Sequence, residues 1–200
     1  MKKVFAVLVL SLALVLFNEH TGEVAAQGAQ DEGGVISSSK LRGNYSDTLK
    51  GSFAVCVSST SPFAEQSCST KAARVIPLSI VTAGHVARDE EGNSCETGTQ
   101  IVSDLPVDIF PPQVTSFHNV EKGLNYDPST GTGEASFTTY VGGTCHGAEF
   151  DSTGATVLNT GTIHFVASDN GKRIEGAITS ITDPVGGIGD FSLSNLLLKQ

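Results

Sequence analysis

The stretch TVLNTGTIHFVA-SDNG-KRIEGAITSIT, residues 156–182, decides the fold. Its centre is a turn, Ser168-Asp169-Asn170-Gly171, and the Asn-Gly dipeptide supplies the positive φ angles that a tight hairpin needs. On the first arm Ile163 and Phe165 share one face, while Thr162, His164 and Val166 share the other. A period of two, rich in β-branched residues, marks strands. The segment therefore predicts an antiparallel hairpin over 156–182.

Working outward, the same grammar recurs. Ser52 to Ser58 places Phe53, Val55 and Val57 on one face and Ala54, Cys56 and Ser58 on the other. Val75 to Ala87 is a longer run in which Ile76, Leu78, Ile80 and Val86 share one parity. A polar turn, Arg88 to Asn93, leads into a strand over Cys95 to Val102. Leu105 to Pro112 holds three prolines and predicts a loop or edge crossing. Val114 to Tyr126 and Glu134 to Val141 are strands separated by the turn DPSTGTG, residues 127–133. Phe191 to Leu198 is the last strand. Eight to ten short strands joined by turns, with no amphipathic helix, predict an all-β protein. An antiparallel up-and-down barrel is the first expectation and a β-sandwich the second. The barrel is preferred because a final apolar strand then covers an open edge.

The N-terminus reads as a targeting segment. Lys2 and Lys3 precede an unbroken apolar run from Val4 to Phe17, and Val24-Ala25-Ala26 is a small-residue cleavage pattern. The expected organisation is a signal peptide over 1–26, a Gly-, Ser- and acid-rich disordered lead-in over 27–40, and one β domain over 41–200. Removing Lys2, Lys3, Glu19 and Glu23 takes two charges of each sign, so the net charge stays at −9. Such a surface repels phosphate backbones, which excludes nucleic acid as the expected partner. With no Trp and three Tyr, the chain lacks the aromatic girdles of an outer-membrane barrel, and no membrane insertion of the mature chain is expected. The expected location is secreted or periplasmic.

Cys56, Cys68, Cys95 and Cys145 all follow the targeting segment. An even count in an exported chain predicts two disulfides and leaves three pairings open. Cys56–Cys68 with Cys95–Cys145 is favoured, the first pair closing a short loop. The spacing lacks paired C-x-x-C knuckles, against a structural zinc site.

From Leu41 onward the chain resembles small secreted bacterial β-barrel proteins of calycin-like type. The opening L-x-G-x-Y is Leu41-Arg42-Gly43-Asn44-Tyr45, the D-x-x-G-N turn spans Asp89 to Asn93, and a T-D-x-x-G run covers Thr182 to Gly186 before Lys199-Gln200. The resemblance implies the barrel fold. It carries no activity.

The sharpest chemical string is Val81-Thr82-Ala83-Gly84-His85-Val86. It resembles the box around the catalytic His of trypsin-like serine peptidases, which would make His85 a general base. Asp104 or Asp108 would be its orienting acid. No G-D-S-G or G-x-S-x-G follows, and the nearest string, Gly189-Asp190-Phe191-Ser192, sits in the last strand. The simpler account places His85 as a strand residue. His118, His146 and His164 show no ligand spacing, and a turn accounts for the calcium-like oxygens of Asp127 to Glu134. No metal and no cofactor are expected. The expected function is therefore a non-catalytic exported barrel holding a small apolar ligand. A secreted hydrolase using His85 and a surface or matrix interaction protein are the alternatives.

Overall fold

A computed structural model describes residues 38–60, 63–103 and 113–200. The signal-peptide segment, most of the lead-in, the proline segment 105–112, Asp104 and Asp108 lie outside the described residues.

The strands are β1 (Gly43–Ser58), β2 (Ala73–Arg88), β3 (Ser94–Ser103), β4 (Gln113–Asp127), β5 (Thr132–Val141), β6 (Thr144–His146), β7 (Glu149–Asp151), β8 (Thr156–Ser168), β9 (Arg173–Thr182) and β10 (Ile188–Lys199). Eight of them close a barrel in the order β1-β10-β9-β8-β5-β4-β3-β2, and every neighbouring pair is antiparallel. Strands β6 and β7 form a separate hairpin inserted between β5 and β8. The barrel, rather than the sandwich, is the fold. Closure runs through β10, which pairs β1 from Tyr45↔Lys199 to Phe53↔Phe191. That strand removes the open edge.

The deciding hairpin forms with Ser168 opposite Arg173. Asp169, Asn170 and Gly171 all take positive φ, at 50°, 56° and 79°. Two features lay beyond simple alternation. Strand β1 starts at Gly43, well before Ser52, because its inward positions carry polar residues as well as apolar ones. The β6–β7 hairpin has too few residues per strand for a period to register. The lead-in also ends in a 3-10 turn, Ser38–Leu41.

Inward positions are filled by a large-small rule. Phe117 lies opposite Gly98, Phe165 opposite Gly133, and Phe137 opposite Gly161. A Cβ on those glycines would come within 2.7, 2.3 and 2.6 Å of the facing ring. Each ring therefore lies over bare backbone and fills the bore at its own level.

Both ends of the bore are packed. At one, Leu41, Tyr45, Val86, Phe165, Ala167, Ile174 and Leu197 form a cluster, with Leu41 and Tyr45 fully buried. Tyr45 Oη donates to the carbonyls of Leu41 (2.8 Å) and Gly171 (3.0 Å), tying the 3-10 turn across the opening. Near the other end, Val57, Ile76 and Leu78 pack with Phe53, Val55, Phe63 and Val102.

The disulfides are Cys56–Cys68 and Cys95–Cys145. The first holds a segment against the outside of β1, where Gln66 N donates to Cys56 O and Val57 bridges Glu65. Cys56 and Val57, on opposite faces, are consequently both buried. The second ties the β6–β7 hairpin to β3.

Candidate ligand chamber inside the barrel

Between the packed ends the bore contains a cavity of about 80 Å³. Leu49, Ile80, Phe117, Phe137, Ile163 and Leu193 supply apolar wall. Ile178 and Ile181 of β9 extend that wall, the remaining lining is polar, and the sheet register explains how the polar part is assembled. Glu96 on β3 pairs with Asn119 on β4, Asn119 with Thr139 on β5, and Thr139 with Asn159 on β8. One cross-strand row thus carries four polar side chains along the chamber. Asp47 on β1 completes it, with Asn195 of β10 its diagonal neighbour through Leu49.

Gly84 makes the approach of Glu96 to Asp47 possible. It sits on β2 directly opposite Asp47, and a Cβ there would come within 2.1 Å of Glu96 Oε1. The Glu96 side chain crosses β2 over this bare position and hydrogen-bonds Asp47. The string that resembles a peptidase box therefore matters for Thr82 and Gly84, which face the bore. His85 lies on the outer surface, across from Ser46 and Thr97. Among the described residues, no hydrogen bond or ion pair engages its side chain.

Two carboxyl groups sharing a low-dielectric bore cannot both ionise cheaply. Burial pushes Asp47 up to about 6; the Glu121 charge adds to this, while hydrogen bonds from Glu96 and from the Thr48 backbone oppose it. Burial likewise raises Glu96 well above the ordinary glutamate range, reinforced by the Asp47 charge, the Asp47 hydrogen bond and the Glu121 charge. A hydrogen bond from Asn119 offsets part of that rise. Thr139 Oγ1 donates to Asn119 Oδ1 at 3.3 Å, which turns the Asn119 amide NH₂ toward Glu96. The pair is thus a carboxylic acid, Glu96, donating to a carboxylate, Asp47.

Glu121 is different because it has full partners. Arg88 Nη2 forms a buried ion pair with it, and Ser94 Oγ donates to Oε2 at 2.9 Å. Apart from the hydrogen bond that the two carboxyls share, Asp47 Oδ1, Glu96 Oε1, Asn159 Oδ1 and Asn195 Oδ1 receive no donor from the rest of the protein. Leaving a buried polar group unpaired costs about 1–3 kcal/mol. Four around one cavity mark a place where donors belong.

The remaining histidines are dispersed over the outside. His118 contacts Thr97 Oγ1 at 3.1 Å and stands beside Cys145, which is in a disulfide and no metal ligand. His146 lies on the β6–β7 hairpin, and His164 pairs with Glu134 on exposed strand faces. Among the described residues no group of three His, Cys, Asp or Glu side chains is disposed to hold a metal. In the 127–134 turn, Asp127 Oδ1 accepts from Ser129 N (2.8 Å) and Ser129 Oγ (2.6 Å), which is ordinary turn chemistry.

Sequence alternation found none of the chamber's polar residues. A parity argument could have found two of them. Thr82 and Gly84 share the inward phase of Ile76, Leu78 and Ile80, and Asp47 shares that of Tyr45 and Leu49.

Comparison with models of protein families, with curated proteins and with solved structures finds no match to this chain.

Proposed function

We propose that this chain is an exported β-barrel protein that holds a small ligand in its interior chamber and catalyses no reaction on it. The observation that carries the proposal is the set of unpartnered acceptors, Asp47 Oδ1, Glu96 Oε1, Asn159 Oδ1 and Asn195 Oδ1, around one cavity. Small closed barrels are wide enough to hold one small molecule. A wholly apolar ligand, the simplest expectation from fold analogy, would leave those oxygens buried without donors. The ligand this chamber suits has an apolar body against Leu49, Ile80 and Phe137 and a donor-bearing group against Asp47 and Glu96. Export is supported by the N-terminal segment and by two disulfides, which persist in oxidising compartments.

Native mass spectrometry of protein purified from its own host tests this reading. The expected result is a retained small mass that disappears in Asp47→Asn. Bare protein in gentle conditions, with no small molecule able to raise its melting temperature, would sink it.

The same pair favours one second reading, an acid–base enzyme, because it offers an acid and a base side by side. Turnover that depends on Asp47 would support that reading over simple binding.

A further inference from the structure

We propose that the ligand is a small organic ammonium ion, held by Asp47, Glu96 and Asn195, whose binding requires Asp47 in its ionised form. This deepens the ligand-binding reading and rests on it.

The argument begins with a donor–acceptor inventory. Every unpartnered polar atom lining the cavity is an oxygen acceptor. A hydroxyl brings one donor and needs acceptors and donors alike. An ammonium brings three donors and no acceptor. Asp47 Oδ1 and Glu96 Oε1, from β1 and β3, flank the hydrogen bond that their carboxyls share, and Asn195 Oδ1 on β10, the diagonal neighbour of Asp47, adds a third acceptor to the lining. Charge points the same way. Arg88 and Glu121 neutralise one another, so the carboxyl pair carries one uncompensated negative charge when Asp47 is ionised. A single positive charge brings the cluster to neutrality, with the Glu96 proton still in place between the two carboxyls.

The other strands add no competing charge. Tyr45 lies below Asp47 on β1, and burial holds its phenol neutral. Arg88 from β2 is already committed to Glu121 on β4. Strands β5, β8 and β10 present Thr139, Asn159 and Asn195 to the cavity, and β9 presents Ile178 and Ile181. A divalent metal ion fits less well, since no three His, Cys, Asp or Glu side chains converge among the described residues and the carboxyl pair carries a single uncompensated charge.

Size limits the body of the ligand. The cavity, about 80 Å³, is roughly half the 150 Å³ of an engineered cavity that holds benzene. That leaves room for an ammonium with roughly one to three carbons. Below pH 6 the proton on Asp47 must leave for solvent as the cation enters. The charge entering then equals the charge leaving, and the ammonium keeps its own protons.

Isothermal titration with ethylammonium, in paired buffers of different ionisation enthalpy, tests the proposal. Ethanol and xenon serve as the uncharged probes. Ethylammonium is expected to bind about tenfold more weakly at pH 5 than at pH 7, because a group titrating near 6 is ionised in about one molecule in ten at pH 5. Proton release should be close to zero at pH 8 and approach one per cation at pH 5. Asp47→Asn, which removes the charge and keeps the shape, should keep the fold and weaken ethylammonium at least tenfold at pH 7. If that variant fails to fold, proton release by the wild type decides alone. Ethanol or xenon binding as tightly as ethylammonium, without proton release, would overturn the ammonium assignment while leaving the chamber a ligand site. No binding by any of the three probes to folded protein would overturn both.

Discussion

Asp47→Asn should make this protein more stable at neutral pH and leave it nearly unchanged in acid. An aspartate in an unfolded chain titrates near 3.9, whereas Asp47 in the bore titrates at about 6. The folded state therefore prefers the protonated carboxyl. Between about pH 4 and pH 6 the unfolded chain loses this proton first, so stability falls as pH rises through that window and stays low above it. A gap of about two pKa units corresponds to about 3 kcal/mol. Asparagine keeps the shape and the acceptor oxygen but carries no charge to bury. For a domain of this size about 3 kcal/mol shifts Tm by roughly 6–12 °C. Thermal unfolding of both proteins, followed by circular dichroism at pH 4 and pH 7.5, makes the comparison. The reasoning predicts an upward Tm shift of that order at pH 7.5 and almost none at pH 4. Equal destabilisation at both pH values would refute it, because Asp47 would then be a fully compensated structural anion.

Gly84→Ala should cost about 1–3 kcal/mol by overpacking, since its Cβ would lie 2.1 Å from Glu96 Oε1. In a Glu96→Ala background the cost should fall below about 0.5 kcal/mol, and a denaturant double-mutant cycle reads the coupling. Replacing the Cys95–Cys145 pair by serines should destabilise by about 4 kcal/mol and the Cys56–Cys68 pair by about 3 kcal/mol, following the longer and shorter loops they close. Equal losses in urea melts would contradict that ordering. His85→Gln, on the exposed face of β2, should move stability by no more than about 0.5 kcal/mol, and ester or peptide hydrolysis assays should register no loss attributable to it.

The fold was legible because its signals are local. Asn170-Gly171 specifies a turn whatever surrounds it, and Ile163 and Phe165 announce an inward face within a few residues. The cysteine pairing was legible for a similar reason: Cys56 and Cys68 are close in sequence, which leaves Cys95 for Cys145. The chamber was not legible, since its chemistry is made by register. Glu96, Asn119, Thr139 and Asn159 come from four strands and share nothing in sequence that announces their alignment across the sheet. Asp47 is flanked by polar Ser46 and Thr48, so no alternation of apolar residues marks its inward position. The His85 string drew attention to the right strand for another reason: its glycine, rather than its histidine, serves the interior. The β4 bulge at Gly123, with φ of 67°, also moves the inward phase from Asn119 and Glu121 to Leu124 and Tyr126, which strict alternation cannot anticipate.

A crystal structure of the protein grown with saturating ethylammonium near pH 7.5 tests the central claim most directly. The account predicts density for the ion inside the barrel, with its nitrogen at hydrogen-bond distance from Asp47 Oδ1 and Glu96 Oε1 and its carbons toward Leu49 and Ile80. A chamber holding only water at saturation, or an ion seated on the outer face of the sheet instead, would contradict it.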